Sequence, residues 1–471
     1  MGSGNKKAKA LLVFFALIAI HVNPSLLFAV GSSGFENASY SARSLGQSNA
    51  VVARPQDPDT VAFNPAGIPE LKGTQVGGNL EGLHTVTWHK SSVSHNTAKS
   101  ANLLVLIPTG YVTHNLGERF NNRVGIGMGF NFPFGVSNRY PAHSELARYA
   151  GFRNDIKLGA LHFAGGVKIN DKVNVGASAV YYRIFQYDQI FNYPNGQVLT
   201  PNNPTGFHDG QVNTYQKGGA WGWTASALLK PVEKHNIGIQ YRSRANIDTN
   251  GRGVITGLVS GGTPGQGFDT FPTWESGIHS DVQLPSQITL GYAYEPSEKW
   301  AAEIDVAWTG WSIFADQDIS VDRGNAVTQS LGAIPRNFHN TWSINTGGHY
   351  RINEKLDWLG GVWLYSAAEP KENFDSVIPD SNRLGISNGF TYSITKKLDF
   401  TTMVFVNFFE KRSFENRVYL RKNGARNDGE VVTFLYGFMT GLTYKFGEGV
   451  AEKPKVETAP ESAPVVRQFP K

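Results

Sequence analysis

Few residues in this chain stand at spacings that would commit them to bond-making chemistry. The twelve histidines show no H-E-x-x-H spacing for a metal hydrolase, and no G-x-S-x-G marks a nucleophile elbow. GIGMGF from Gly125 lacks the helix that a nucleotide-binding loop requires, so its glycines read as relief on a crowded wall. A membrane lipase would need a serine, a histidine and an orienting polar residue brought together in space, and no motif marks such a set. No enzyme, cofactor or metal is expected. The residues that stand out bear on passage instead. In VAFNPAGIPEL, Val61 to Leu71, Pro65 and Pro69 fix φ and remove backbone donors around Gly67, which makes a rigid, mostly apolar turn. In GIGMGFNFPFGVSNRYP, Pro133 cannot donate to a strand ladder, and Gly135 follows two residues later.

The elements that must position these residues are strands. The chain has 471 residues, 12% aromatics, 52 glycines and no cysteine, with a mean hydropathy of −0.28. That is too polar for a bundle of membrane helices and suits an all-β protein. A formal charge of +5 with basic and acidic residues interspersed gives no support to nucleic-acid binding. Residues 1–29 read as a secretory signal peptide: Lys6, Lys7 and Lys9 precede the short apolar run ALLVFFALIAI, and Ala29 offers a small residue for cleavage. From Thr74 the pattern has period two. In KWAAEIDVAW the apolar face is Trp300, Ala302, Ile304, Val306 and Trp308, leaving Glu303 and Asp305 opposite. Carboxylates facing a dry core would need partners, so this face is expected to meet water.

Fourteen such segments start near Thr74, Ser100, Asn122, Arg153, Lys172, Gly219, His235, Asp281, Lys299, Phe338, Lys355, Asn382, Leu398 and Val431. Tight turns such as KINDKV and YEPSEKW alternate with long connections at Phe191 to Gly218, Thr249 to Ser280 and Ser312 to Asn337. Alternating short and long connections are the pattern of an outer-membrane barrel, with Tyr294, Trp300, Tyr350, Trp358, Tyr392 and Phe400 as an interfacial girdle. A soluble propeller or pair of sandwiches would also alternate, but the propeller repeat is missing and the face carrying Glu303, Asp305 and Gln240 is too polar to meet another sheet. The expected fold is therefore all-β, a 14-stranded antiparallel transmembrane β-barrel over 74–446, followed by a disordered periplasmic tail at 447–471. A lumen of that size is not filled by its own side chains. Residues 30–73 are too few for a domain and are expected to close it as an N-terminal hatch, with the turn around Asn64 fixing where the plug meets the wall. For Pro133 two readings stay open on spacing alone: the strand ends at Phe132, or the wall is kinked there and opens sideways toward lipid.

These motifs, in this order, resemble the outer-membrane long-chain fatty-acid transporter family, FadL-type, which includes aromatic-hydrocarbon importers (FadL/TodX-like). The resemblance rests on Gly34-Phe35, Leu45-Gly46, NPA at Asn64 to Ala66, FPFG at Phe132 to Gly135, LPSQITLGYAY from Leu284, the run from Trp300 to Ser312, and IPDSNR from Ile378. It implies a hatch motif at Asn64, Pro65 and Ala66, an N-terminal gate at Phe35, and a lateral opening at the kink Pro133, Phe134 and Gly135. Carboxylate-carrying members use basic residues, one at the outer end of the fifth strand. A loose alignment puts Asp188 there, with Arg183 as the alternative and Arg336 as a further basic anchor; an aspartate at that place favours an uncharged ligand, because like charges repel.

The expected function is passive uptake of long-chain fatty acids or hydrocarbons by a monomer embedded in outer-membrane lipid and lipopolysaccharide. The competing reading is a general diffusion porin or a structural barrel, which would need no plug.

Overall fold

The computed structural model describes residues 34–142, 144–194, 209–257, 273–323, 334–374, 377–415 and 428–446. The expected signal peptide and tail lie outside these residues. Fourteen staves form the wall: β1 (Thr74–Ser91), β2 (Thr97–Lys99 and Val105–Asn115), β3 (Val124–Arg139), β4 (Arg153–Asn170), β5 (Val173–Pro194), β6 (Asp209–Val232) and β7 (His235–Arg242 and Ala245–Thr256). They continue as β8 (Trp274–Leu284 and Gln287–Ser297), β9 (Trp300–Thr309), β10 (Thr341–Arg351), β11 (Leu356–Tyr365), β12 (Arg383–Thr395), β13 (Leu398–Phe409) and β14 (Gly429–Phe446). Every stave pairs antiparallel with its neighbours. β14 closes on β1 in unbroken register from Thr74↔Phe446 to Ser91↔Gly429, so the sheet closes into a barrel.

The alternation legible in the sequence sorts the two faces. Val175, Ile239, Ile304 and Phe438 lie on the exposed apolar outside, and Trp221 is 62% exposed. Cross-strand pairing places Trp300 beside Tyr350 and Tyr350 beside Trp358, while Tyr392 stands opposite Phe400. Those girdle residues thus fall in adjoining registers near the tight turns. Among the described residues no helix is long and apolar enough to cross a membrane.

Two strand starts differ from expectation. β6 begins at Asp209 rather than near Gly219, and β8 at Trp274 rather than near Asp281. The ladder between β5 and β6 continues to Pro194↔Asp209, so parts of the stretches expected to be loops are strand. Their polar, Gly- and Asn-rich composition resembles a loop because no lipid requires an apolar face above the bilayer.

Protein in mild detergent should give a β-type circular dichroism spectrum, and unheated and boiled samples should migrate differently on a denaturing gel. A helical spectrum would contradict the closed barrel.

Candidate functional site

Ahead of β1, the described chain from Gly34 runs along the inner wall. Helix α1 (Ala42–Gly46) contacts β11 to β14 and β1, whereas the 3₁₀ turn Pro65–Glu70 contacts β2 to β6. The local structure follows from its caps. Ser41 Oγ accepts from Ser44 N at 3.1 Å to start α1, and Asp59, preceding helix α2 (Thr60–Phe63), accepts from the hydroxyls of Ser41 and Ser44. Asn64 Oδ1 accepts from Ala66 N at 3.1 Å, and Pro65 occupies the first helical position, where its missing N–H is harmless. The Asn64 amide nitrogen donates to Val52 O at 2.7 Å and to Ala227 O of β6 at 3.2 Å. One side chain thereby ties the turn to its own segment and to the wall. Wall glycines permit this approach: a Cβ at Gly176 would stand 2.2 Å from Ala66 N, and one at Gly238 would stand 2.2 Å from Val52 O. Gly125 and Gly127 do the same beneath Ile68 and Val61.

Glu303 and Asp305 do face inward, but the segment occupies the place expected for water. Asp305 Oδ2 accepts from Val51 N at 3.1 Å and Val52 N at 3.2 Å, while Glu303 Oε1 accepts from Ala53 N at 2.5 Å. Arg54 Nε lies 3.4 Å from Glu303 Oε2, and its other nitrogens reach Gln47 Oε1 and His349 Nδ1. Gln240 of the same polar face donates to Ala62 O at 2.6 Å. Charged acceptors on the wall thus satisfy amides of a non-helical stretch that would otherwise be buried without partners.

The wall is interrupted between β2 and β3. Their ladder extends from Asn115↔Gly125 to Gly110↔Phe130 and no further, and the β3–β4 register shifts between Asn131 and Phe134. Beyond that point the N-terminal residues take the place of a neighbouring strand. Asn37 N donates to Pro133 O at 2.7 Å, Gly135 N donates to Phe35 O at 2.8 Å, and Glu36 bridges Phe134. The Asn37 amide adds a bond to Phe132 O at 3.2 Å. β3 continues through Pro133 to Arg139, so the strand does not end at Phe132. Gly135 is not in the left-handed region; its part here is as a donor rather than as a permissive backbone.

Phe35 joins this seam to a packed apolar cluster. Its ring lies 5.0 Å from Trp311, 5.7 Å from Phe134 and 5.7 Å from Phe314, in a cluster with Leu158, Ile184 and Phe338. Gly34 N donates to Asp380 Oδ2 at 2.9 Å, and Glu36 pairs with Arg242 at 2.8 Å, fixing the two residues beside Phe35. Beyond this cluster two small cavities flank the stretch Ala38–Tyr40. One, of about 70 Å³, has a mixed lining in which Gln240, Gln287 and Asn345 meet Val52 and Phe63. The other, of about 40 Å³, is bounded by Leu83, Trp363, Phe405 and Leu435 together with Asn37, Glu81 and Arg383.

The structure therefore brings Phe35, Pro133, Phe134 and Gly135 together, with Asn64, Pro65 and Ala66 set apart on the wall near β5 and β6. Two of the three polar candidates do not line the lumen. Arg183 stands between inward-facing Tyr182 and Ile184 and hence points outward. A bulge at Phe185 then shifts the alternation, so that Tyr187 and Gln189 turn inward and Asp188 lies outside, opposite exposed Tyr215. The argument from Asp188 against a charged ligand loses its basis. Arg336 is buried beside this cluster, donating to Gln317 Oε1 at 2.9 Å, and Gln317 in turn donates to the hydroxyl of Tyr187. Sequence reasoning missed Arg54, Arg242 and Arg383 as interior cations. Arg383 carried a signal: it shares parity with Ser387 and Thr391, opposite the apolar face of Leu384, Ile386 and Phe390.

Residues 28–446 match the sequence profile of a family described as outer membrane protein transport protein (OMPP1/FadL/TodX). Outer membrane protein P1 of Haemophilus influenzae is 24% identical over 417 residues, covering 79% of this chain and 86% of that protein. The long-chain fatty acid transport protein of Escherichia coli O6:H1 is 24% identical over 387 residues, covering 78% and 84%. Among solved structures, a Pseudomonas aeruginosa FadL homologue superposes with a TM-score of 0.75 at 18% identity, covering 88% of this chain and 100% of that one. The Pseudomonas putida toluene transporter TodX gives 0.67 at 15% identity, covering 87% and 99%. At these identities the structural likeness speaks for the barrel fold.

Replacing both wall carboxylates, Glu303→Ala with Asp305→Ala, takes the buried counter-ion from Arg54 and the carboxylate acceptors from the amides of Val51, Val52 and Ala53. Loss of one partner of a buried pair costs about 3–5 kcal/mol, so the N-terminal segment should loosen while the barrel persists. Increased ion conductance in planar bilayers, with heat-modifiable mobility retained, is the expected outcome; a variant as closed as the parent would refute the anchoring.

Proposed function

The chain belongs to the outer membrane protein transport family (OMPP1/FadL/TodX), and from that premise we propose that it takes up long-chain fatty acids or hydrocarbons passively and releases them sideways. The barrel resides in the bacterial outer membrane. In this reading residues 1–29 are the export signal, 30–73 the hatch and 447–471 a periplasmic tail, and the protein works as a monomer surrounded by outer-membrane lipid and lipopolysaccharide. Relatives named for fatty acid and toluene transport supply the substrate classes.

The observation that carries the proposal is the unpaired stretch of wall beyond Gly110↔Phe130, covered from inside by Phe35 to Asn37. An apolar chain captured around Phe35 gains roughly 0.8 kcal/mol per buried methylene. Passage onward into periplasmic water would reverse that gain, whereas passage through the wall hands the chain directly to the bilayer. The apolar cluster behind the gap supports the second route, since Phe132, Val105, Ile107 and Leu83 form a continuous surface there. Asn64, Pro65 and Ala66 serve as the hatch motif that keeps the remainder of the lumen closed, which separates this protein from a general diffusion porin. Arg336, buried and bonded to Gln317, is the cation suited to meet a carboxylate; Arg183 and Asp188 have no part in binding.

Pro133→Val, which supplies the backbone donor that the proline lacks, should restore strand pairing and narrow the gap. Uptake is expected to fall severalfold, with assembly, surface level and equilibrium ligand binding little changed. Uptake equal to the parent at equal surface level would redirect the route past the hatch into the periplasm.

Deleting residues 30–73 should leave an assembled barrel that conducts small ions, and an electrically closed truncation would show that the segment is no plug. Asp188→Asn and Arg183→Ala should leave fatty-acid uptake unchanged, measured with a radiolabelled acid; a large loss in either would put that residue back in the path.

A further inference from the structure

The outer surface of the barrel changes character at the end remote from the tight turns, the end that faces the cell exterior. Where β14 closes on β1, the outward residues of β1 run Val86, Trp88, Lys90, and those opposite them on β14 run Phe434, Val432, Glu430. Phe408 of β13 sets its ring 5.4 Å from that of Phe434. Below Trp88 this strip is apolar, and above it the strip is charged. Lys99 of β2 stands opposite Trp88, its ammonium 5.6 Å from a ring centroid of the indole, and Lys90 lies diagonally above it. Diagonal neighbours with long side chains can reach one ligand together. Glu430 is matched by Lys411 at 2.8 Å, and the exposed cations Arg153 and Arg252 elsewhere at this end are matched by Asp155 and Glu275. Lys90 and Lys99 form no ion pair among the described residues. Beside Lys90 opens a groove of about 600 Å³ whose described lining includes Lys371, His95, the hydroxyls of Ser92 and Ser413, and Glu430.

We propose that this strip is a docking site for one molecule of a phosphorylated glycolipid of the outer leaflet. Its acyl chains lie on Val86, Val432, Phe434 and Phe408, a phosphate is held by Lys90 and Lys99, and the sugar occupies the groove. The level of the residues argues for a lipid: cations standing directly above an apolar wall and an indole meet the headgroup layer. Two ammonium groups without internal partners give a phosphate charge-assisted hydrogen bonds, and the Trp88 ring restrains Lys99 for that contact. The groove argues for a sugar, because its hydroxyls, amines and carboxylates match a polyhydroxylated headgroup and leave a plain phospholipid with nothing to fill it. Free phosphate gains the charge and none of the apolar contact. A lipid seated here spans β13, β14, β1 and β2, so it covers from outside the pairing that joins the two ends of the sheet. The site is on the outer wall and does not depend on how a solute crosses the barrel.

The test uses the full-length barrel, delipidated in detergent and titrated with four probes: bisphosphorylated lipid A, its dephosphorylated form, phosphatidylglycerol and inorganic phosphate. Native mass spectrometry counts the molecules retained and gives their affinity. One lipid A per barrel is expected. Its affinity should fall about tenfold when Lys90→Gln and Lys99→Gln are combined, and by a similar factor for the dephosphorylated lipid on the unaltered barrel. Lys299→Gln removes a lysine set over Tyr350 at the opposite end and should leave lipid A binding unchanged. Equal affinity of parent and double variant, or of the two forms of lipid A on the parent, overturns the proposal; the second comparison needs no variant to assemble. Phosphatidylglycerol bound as tightly as lipid A overturns the glycolipid assignment. Displacement of lipid A by millimolar inorganic phosphate reduces the site to one for anions, and a loss in Lys299→Gln equal to that in the double variant reduces it to general charge attraction; either result overturns the docking site.

Discussion

Every backbone amide at the depth of the hydrocarbon must find an acceptor within the protein, because lipid supplies none. The rest of this structure depends on how that requirement is met. Closure of β14 on β1 answers it around the circumference. It does not answer it for the chain inside, where residues 47–54 follow no regular ladder, nor for β3 beyond Phe130, which has lost its partner on one side. Glu303 and Asp305 meet the first need from the wall, and Phe35 to Asn37 meet the second from the segment. The hydrogen bonds that seat the segment and those that complete the wall are therefore carried by one continuous stretch of backbone.

That sharing links the apolar cluster to the gap. Phe35 packs against Trp311 and Phe314 through its ring and accepts from Gly135 through its carbonyl. Displacement of the ring by a ligand must strain the backbone bonds that cover the unpaired stretch of β3. Arg242 lies at the same junction, paired with Glu36 and set 5.1 Å from the centroid of Phe134. Its charge is confined by an anion and a ring, which restricts how far Glu36 can move without leaving a cation buried and unmatched.

The interior also separates what can travel where. The cavity toward β8 to β10 offers hydroxyls and amides, and an alkyl chain there would displace hydrogen-bonding partners without replacing them. Toward β11 to β14, Leu83, Trp363, Phe405 and Leu435 give a more apolar lining, interrupted by Asn37, Glu81, Arg383 and Asn407.

How much of this was legible in the sequence follows from the range over which each feature is determined. Alternation of period two is local, since one face meets lipid and the other does not, so the wall, its strand number and its girdle could be read from residues such as Ile304 and Trp300. The rigid turn at Asn64 to Pro69 was legible for the same reason: proline and an asparagine cap act on their immediate neighbours. Even the missing donor at Pro133 was visible, although whether it ended the strand was not. Partners far apart in the chain could not be read. Glu303 and Asp305 announced a polar face, but only the fold brings residues 51–54 to it in place of water. The bulge at Phe185 is invisible in composition, and it alone reverses the side on which Asp188 falls. The inward parity of Arg383 could be read from Ser387 and Thr391, while the rings of Tyr365 and Phe409 around it come from strands brought together by closure of the barrel. Local periodicity sets which way a side chain points; what it meets there is decided by long-range packing.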